Sequence, residues 1–381
     1  MVIAKKGLNK NKNASKNKNT RFMTVKKIIL LSFLSLLFLF LLLAYLFITV
    51  YRPSAPDDFM GMIADFGDDF LPPDDFGEGA PERVDMSGNW NNDCYTFLIL
   101  GRDEGLHTDT MMLAMFNVRE NTVSILNIPR DTYVTTKGFS GKITNVLGRG
   151  YNNAIRDGMK RDAAMKAGID YLKTMIRYTF GVPVQFHIMV DLKGFKFLVD
   201  EIDGVEMYVP QDMFYSDPEQ GLYINLKKGT QTLDGSQAEQ VVRYRSGYAS
   251  QDIGRIETQQ KFLAALTKKL LRFDLKNINA LFETGSRYME TNISTTNAAW
   301  FAQRMLQVKL EDMRTHTLPG VWIYPHQVAY KTEAMEIINK YYNPFKIEIP
   351  ESNFNIDDKG ASLRERPEYD IDGTTMAELL K

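Results

Sequence analysis

Cysteine is all but missing from this 381-residue chain: Cys94 stands alone, so no intramolecular disulfide can form and any exported part must be held by its core. Acidic residues are missing from positions 1–27, which carry nine Lys and Arg (Lys5, Lys6, Lys10, Lys12, Lys16, Lys18, Arg21, Lys26 and Lys27). Histidine is scarce. The four present (His107, His187, His316 and His326) are scattered without metal-ligand spacing, and the lone Cys94 has no evident base beside it. There is no Gly-rich Walker loop, no Gly-x-Ser-x-Gly elbow and no His-Glu-x-x-His. These gaps set aside P-loop nucleotide chemistry, α/β-hydrolase acyl transfer and zinc proteolysis of the usual kinds.

What is there begins with residues 28–50, a nearly unbroken run of Leu, Ile, Phe and Val. At about 1.5 Å rise per residue such a run spans the roughly 30 Å hydrocarbon core of a bilayer. It is too long for the apolar part of a cleaved signal and lacks a small-residue cleavage site, which predicts a retained transmembrane anchor. The positive-inside rule then keeps the basic arm, residues 1–27, in the cytoplasm and sends the remainder across. The expected location is the cell membrane, single-pass, with an extracytoplasmic domain. Net charge over the whole chain is −1, yet without the arm and Arg52 it falls to about −11. That balance argues against nucleic acid as a partner.

Residues 51–90 hold Pro53, Pro56, Pro72, Pro73 and Pro81 among acidic side chains and read as a disordered, extended stalk. The Asp68-Asp69 and Asp74-Asp75 pairs lack the spacing of a calcium loop. Residues 91–349 form the expected domain, and residues 350–381 read as a polar, frayed tail. Within the domain, strands are predicted over 95–100, 111–117, 122–128, 186–190 and 205–209. Met165, Ile169, Leu172 and Ile176 mark a helix face that stops before Gly181. Further helices are predicted over 194–201, after Asp234-Gly235, and over 255–273, the last with Ile256, Leu263, Leu266 and Leu270 on one face. Strands alternating with helices after an early hairpin imply an α/β class fold: an α/β/α sandwich with a central mixed sheet.

The chemistry lies in charged residues at strand ends and helix starts. Asp103 and Asp109 follow the first strand, and Arg130-Asp131 follow the third. Lys142 lies in the next loop; Arg243 and Arg245 alternate in Val-Val-Arg-Tyr-Arg; Asp252, Arg255 and Gln259 open the long helix, with Arg255 and Gln259 four apart on one face. Taken singly, each reads as a structural ion pair. Gathered at the carboxyl edge of an open sheet they suit an anion, because ligands collect there and the guanidinium fork matches phosphate oxygens. Two carboxylates close by suit Mg²⁺ (or Mn²⁺) bridging those oxygens, so the set describes a diphosphate site.

At these residues the sequence resembles the LytR–CpsA–Psr family. The matching strings are Phe97-Leu-Ile-Leu-Gly101 with Asp103, Thr108-Asp-Thr-Met-Met-Leu113, Val123-Ser-Ile-Leu-Asn-Ile-Pro-Arg-Asp-Thr-Tyr-Val134, and Lys142-Ile143. They continue through Gly204-Val205, the stretch 226–238, Val242-Arg-Tyr-Arg245 and Asp252-Ile-Gly-Arg-Ile256 with Gln259-Gln260, covering about residues 95–271 in order. The resemblance implies an enzyme that moves a phosphoglycan (teichoic acid, capsule or another wall polymer) from an undecaprenyl-diphosphate carrier onto peptidoglycan. By the match, Asp103 and Asp109 would hold Mg²⁺. Arg130, Arg243, Arg245, Arg255 and Gln259 would grip the diphosphate with Lys142 nearby, and Asp131 would take a structural role beside an arginine. A prenyl tunnel is implied between sheet and helices; Met165, Met175, Phe195, Phe197, Phe262 and Phe273 read as core or as its lining.

The sequence departs from the pattern twice. His107 stands where the family commonly has an arginine, and Thr258 replaces another; a histidine there supplies no permanent cation. Two other readings remain open: a non-catalytic envelope regulator, and a lipid-diphosphate hydrolase in which water replaces the sugar. A 27-residue arm is too short to fold as a DNA-binding domain.

Overall fold

The early hairpin forms as expected. In the computed structural model, which describes residues 52, 83–102, 105–136, 138–218, 221–245, 247, 252–272, 285, 288–358 and 369–381, β1 (Cys94–Arg102) pairs antiparallel with β2 (Thr108–Asn117) and β2 with β3 (Thr122–Asn127). Two short hairpins flank the next stretch of chain: β4 (Tyr133–Thr136) with β5 (Phe139–Lys142) just after β3, and later β13 (Gly320–Ile323) with β14 (His326–Ala329). Two helices not both foreseen follow, α1 (Val146–Arg156) and α2 (Arg161–Phe180). The sequence pattern assigns no element to the stretch that forms α1, which contains Gly148 and Gly150. Gly150 is needed there because a Cβ would come within 2.6 Å of the Tyr171 Cβ, so this glycine lets α1 cross α2 at close range. The α2 helix ends as predicted at Gly181, whose φ of 72° caps it in the left-handed conformation.

The strand β6 (Phe186–Asp191) lies parallel to β1, and α3 (Leu192–Glu201) starts directly from it, capped by the Asp191 carboxylate on the Gly194 N–H at 2.8 Å. The strands β7 (Val205–Val209), β8 (Met213–Asp217), β9 (Leu222–Leu226) and β10 (Gly229–Leu233) form two small antiparallel ladders. Next come α4 (Gly235–Arg243), opened by an Asp234/Gln237 capping box, and α5 (Asp252–Leu270). The remaining elements are β11 (Met289–Thr291), α6 (Thr295–Met305), β12 (Met313–Thr317), α7 (Lys331–Tyr341), β15 (Thr374–Thr375) and α8 (Met376–Leu379).

The main sheet has seven strands in the order β11-β6-β1-β2-β3-β12-β15. It is mixed: β6 and β12 run parallel to β1 and β3, while β2, β11 and β15 run against their neighbours. Alternation along β1 sends Leu98 and Leu100 to one face, where they join Ile169, Leu172 and Ile176 of α2 and Ile337 and Ile338 of α7. The opposite face carries Tyr95, Phe97 and Phe186, which meet Trp300 and Phe301 of α6 edge-on. Helices on both faces give the α/β/α arrangement. A second core unites α3, α4, α5 and β7–β10 through Val205, Leu226, Val241 and Phe262.

Two boundaries differ from expectation. The domain takes hold before residue 91: Arg83 donates to the Tyr178 carbonyl at 2.6 Å, Met86 is buried, and Trp90 meets the Phe345 ring edge-on. The tail from 350 is not frayed where it is described. Phe354 and Ile356 are buried, β15 adds to the sheet edge beside β12, and Met376 is fully buried. Both segments are polar overall, and the few apolar side chains that anchor them were outweighed by Asp, Glu and Pro. The arm (1–27), the anchor (28–50) and residues 53–82 of the stalk lie outside the described residues; among those described, no helix is long and apolar enough to cross a membrane.

Candidate active site

Strand directions decide which ends meet. The carboxyl ends of β1, β3, β6 and β12 and the amino end of β2 all fall on one edge of the sheet. Asp109, the second residue of β2, and Arg130, three residues past β3, meet there: the Arg130 Nη1 donates to Asp109 Oδ1 at 2.5 Å, with both side chains partly open to solvent. The Arg130 loop is itself fixed. Thr132 returns its N–H and its hydroxyl to the Pro129 carbonyl at 2.9 and 2.6 Å, and the Thr144 N–H donates to the Arg130 carbonyl at 3.2 Å. The Thr144 hydroxyl also reaches the Thr108 carbonyl at 3.0 Å, stitching the base of β2 to the same loop.

Asp131 does take an ion-pair role, but its partner is Lys142 at 2.7 Å rather than an arginine. Lys142 ends β5 directly opposite Tyr133, so the hairpin delivers the ammonium back to the loop it left. That cation is therefore already matched by a carboxylate.

A second group forms where α4 meets α3 and α5. Arg243 and Lys196 both bind Glu239, at 2.8 and 3.0 Å. Burial pushes the Glu239 carboxyl up, but the hydrogen bonds from Arg243 and Lys196 outweigh this and hold it below its ordinary value. Glu239 was not singled out from the sequence; the only signal was its i,i+4 spacing to Arg243. The Gln259 amide donates to the Val242 carbonyl at 2.9 Å, so it ties the two helices together. Arg255, one turn earlier on the same helix face, is buried, whereas Arg245 is exposed. Gln260 reaches Thr315 and Thr317 on β12 at 3.4 and 3.2 Å, and Thr317 pairs with Asn127 at the end of β3. This contact joins the middle of α5 to the carboxyl end of β12, on the edge that carries Arg130.

Asp103 lies outside the described residues, as does the side chain of Asp252. Of the two departures, His107 is exposed beside Thr108, and Thr258 is buried with its hydroxyl returned to the Gly254 carbonyl at 2.9 Å. Thr258 thus sits in the helix packing rather than in solvent. Cys94 is inert: burial raises its thiol to about 12.

With this geometry in place, a model of the LytR_cpsA_psr family matches residues 74–345. The chain belongs to the LytR_cpsA_psr family. A Staphylococcus aureus protein, SAOUHSC_00997, is 27% identical over 270 residues, which is 70% of this chain and 61% of that protein. TagV of Bacillus subtilis, a polyisoprenyl-teichoic acid–peptidoglycan teichoic acid transferase, is 26% identical over 227 residues, 58% of this chain and 55% of its own. The alignment thus spans less than two thirds of both relatives. In fold, this LytR_cpsA_psr chain is similar to gbs0355 of Streptococcus agalactiae (17% identity, TM-score 0.57, 72% of this chain and 97% of that one). It is likewise similar to TagT bound to LIIa-WTA (23% identity, TM-score 0.53, 67% and 92%).

Proposed function

We propose that this member of the LytR_cpsA_psr family is a membrane-anchored phosphotransferase that moves a phosphoglycan from an undecaprenyl-diphosphate carrier onto peptidoglycan. The observation that carries the reading is the solvent-accessible Asp109–Arg130 pair at the carboxyl edge of the sheet, with Gln260 of α5 reaching Thr315 and Thr317 of β12 at the same edge. Relatives named as teichoic acid transferases support the same chemistry.

Phosphoryl transfer asks the protein mainly for positioning and for charge neutralisation on the oxygens. In this reading Arg130 swings from Asp109 to a phosphate oxygen, and Arg255 contributes a second guanidinium together with the amino end of α5. Arg243 and Arg245 lie at the rim and steer the anion inward. Gln259 holds α4 against α5 and so acts as a positioning residue. Lys142, matched to Asp131, shapes the Arg130 loop. The acceptor hydroxyl gives its proton to a carboxylate, Asp109 or Asp103.

Among the described residues, no group of three or more His, Cys, Asp or Glu is arranged to hold a metal ion. Magnesium commonly takes one or two carboxylates and completes its shell from substrate phosphates and water, and exposed Asp109 fits that mode. Asp103 and Asp109 would hold Mg²⁺ (or Mn²⁺), which supplies charge neutralisation on the diphosphate oxygens when bound. The incompletely buried Phe97, Ile99 and Met112, on a central part of the sheet, suit a prenyl chain laid between sheet and helices. Residues 28–50 would anchor the chain, with the domain extracytoplasmic.

The test is the full chain in detergent with a short-chain prenyl-diphosphate oligosaccharide, peptidoglycan fragments and Mg²⁺, followed by mass spectrometry. Transfer with release of prenyl phosphate is expected. Release without transfer would identify a hydrolase, and no turnover by a folded chain would leave a binding protein.

A further inference from the structure

Residues 318–330 contain no Asp, Glu, Lys or Arg, in a chain where a quarter of all residues (24%) are charged. This stretch is the β13–β14 hairpin with its flanks, and it stands immediately after β12, at the edge that carries the candidate active site. Its inner face, Val321, Ile323 and Val328, packs on Tyr330 and Tyr133, and the Tyr133 and His326 rings lie 5.0 Å apart. The Gln327 N–H donates to the Asp131 carbonyl at 2.9 Å, which fixes the hairpin to the residue next to Arg130.

Its outer side is aromatic and open. Trp322 is 48% exposed and Tyr324, at the tip, is 86% exposed. The Lys142 ammonium lies 5.9 Å from the Trp322 ring centroid. Neighbouring residues therefore lead from Asp109 through Arg130, Asp131 and Lys142 toward Trp322. The nearest cation is already neutralised by Asp131, so this surface has little to offer a second phosphate. Flat aromatic rings with polar neighbours and no net charge suit the apolar face of an uncharged sugar ring.

We propose that the β13–β14 hairpin is the acceptor platform, on which Trp322 and Tyr324 stack against pyranose rings of an uncharged glycan strand and present its hydroxyl to the phosphate site. This rests on the transferase reading and adds where the acceptor lies. A membrane contact through the same rings is the competing occupant. It is disfavoured because no Lys or Arg occurs in the hairpin to meet anionic headgroups.

The experiment titrates the full chain with chitotetraose and follows tryptophan emission; of the three tryptophans, Trp300 is buried and Trp322 is the exposed one. A saturating blue shift is expected. Trp322→Phe should lose the shift while calorimetry still shows binding, and Tyr324→Ala should weaken binding roughly three- to tenfold without disturbing the fold. In parallel, farnesyl diphosphate binding is measured by calorimetry in the presence of Mg²⁺. No response to chitotetraose while farnesyl diphosphate binds would overturn the platform and leave the transferase reading standing. A chitotetraose response without farnesyl diphosphate binding would leave a sugar-binding hairpin but sink the transferase reading and, with it, the acceptor role. Emission that shifts with phosphatidylglycerol vesicles and not with chitotetraose would make the surface a membrane contact and overturn the proposal.

Discussion

Asp109 and Arg130 sit opposite one another on a ladder that has already ended. The register that pairs Met112 with Asn127, carried three residues further, sets Asp109 against Arg130, and their side chains close at 2.5 Å. The pair is held by backbone geometry yet open to water, so its Coulombic worth to folding is small, about 0–1 kcal/mol. A functional anion can displace the carboxylate from the guanidinium at little cost.

Arg130→Ala is accordingly expected to lower transfer by about 10²- to 10³-fold, the usual range for one lost charge-stabilising donor, with stability changed by no more than about 1 kcal/mol. Arg130→Lys should recover little, because an ammonium cannot reproduce the fork. Turnover assays beside thermal melts of both variants decide this; a variant that loses fold along with activity would make the pair structural.

Lys142 and Asp131 are expected to behave as a unit. A double-mutant cycle of Asp131→Asn and Lys142→Gln should show a coupling of about 0.5–1 kcal/mol in urea denaturation. If Lys142→Gln abolished turnover while the coupling was zero, Lys142 would belong to the phosphate site instead.

Buried histidine makes stability depend on pH. Burial, aided by Lys173 and Lys166, lowers His187 to about 3, so the folded chain keeps this ring neutral. In the unfolded chain the ring takes a proton near pH 6.5, and stability should therefore fall as pH drops through 6.5 toward 3, by up to about 1.4 kcal/mol per pH unit. His187→Leu should flatten that slope between pH 7 and 5, as read by denaturant titration. An unchanged slope would assign it to other groups, His316 among them, whose ring is also lowered by burial.

The carboxyl-terminal segment is expected to be integral to the domain. Met376 is fully buried, the Tyr369 hydroxyl donates to the Thr317 carbonyl, and Asp372 accepts from Lys340 and Tyr341, each at 2.6 Å. Met376→Ala should cost about 2–4 kcal/mol in a melt followed by circular dichroism. A change within 0.5 kcal/mol or so would mean that the segment is peripheral.

How far the sequence reached can be judged element by element. Apolar alternation in β1, β2 and β3, the heptad-like face of α2 and the Asp234 cap of α4 are local signals, and each element stands where its pattern put it. The strand β12 was passed over because Met313-Arg-Thr-His-Thr shows no apolar alternation, although Thr315 and His316 are buried inside the sheet. The hairpins β4–β5 and β13–β14 are short and draw their stability from each other, so neither announces itself.

The candidate site divides in the same way. Residue types and spacing alone pointed to a diphosphate site: carboxylates and arginines at strand ends, in an α/β chain with one cysteine and no conventional catalytic motif. Which charges neutralise which was decided only in three dimensions. That Asp131 takes Lys142, that Glu239 gathers Arg243 and Lys196, and that Gln259 spends its amide on Val242 all depend on how α4, α5 and the hairpins pack. The physical reason is range. Periodicity and caps are set within a few residues of chain, whereas a charge interacts with whatever the fold brings within about 4 Å, and that neighbour can be any distance away in sequence.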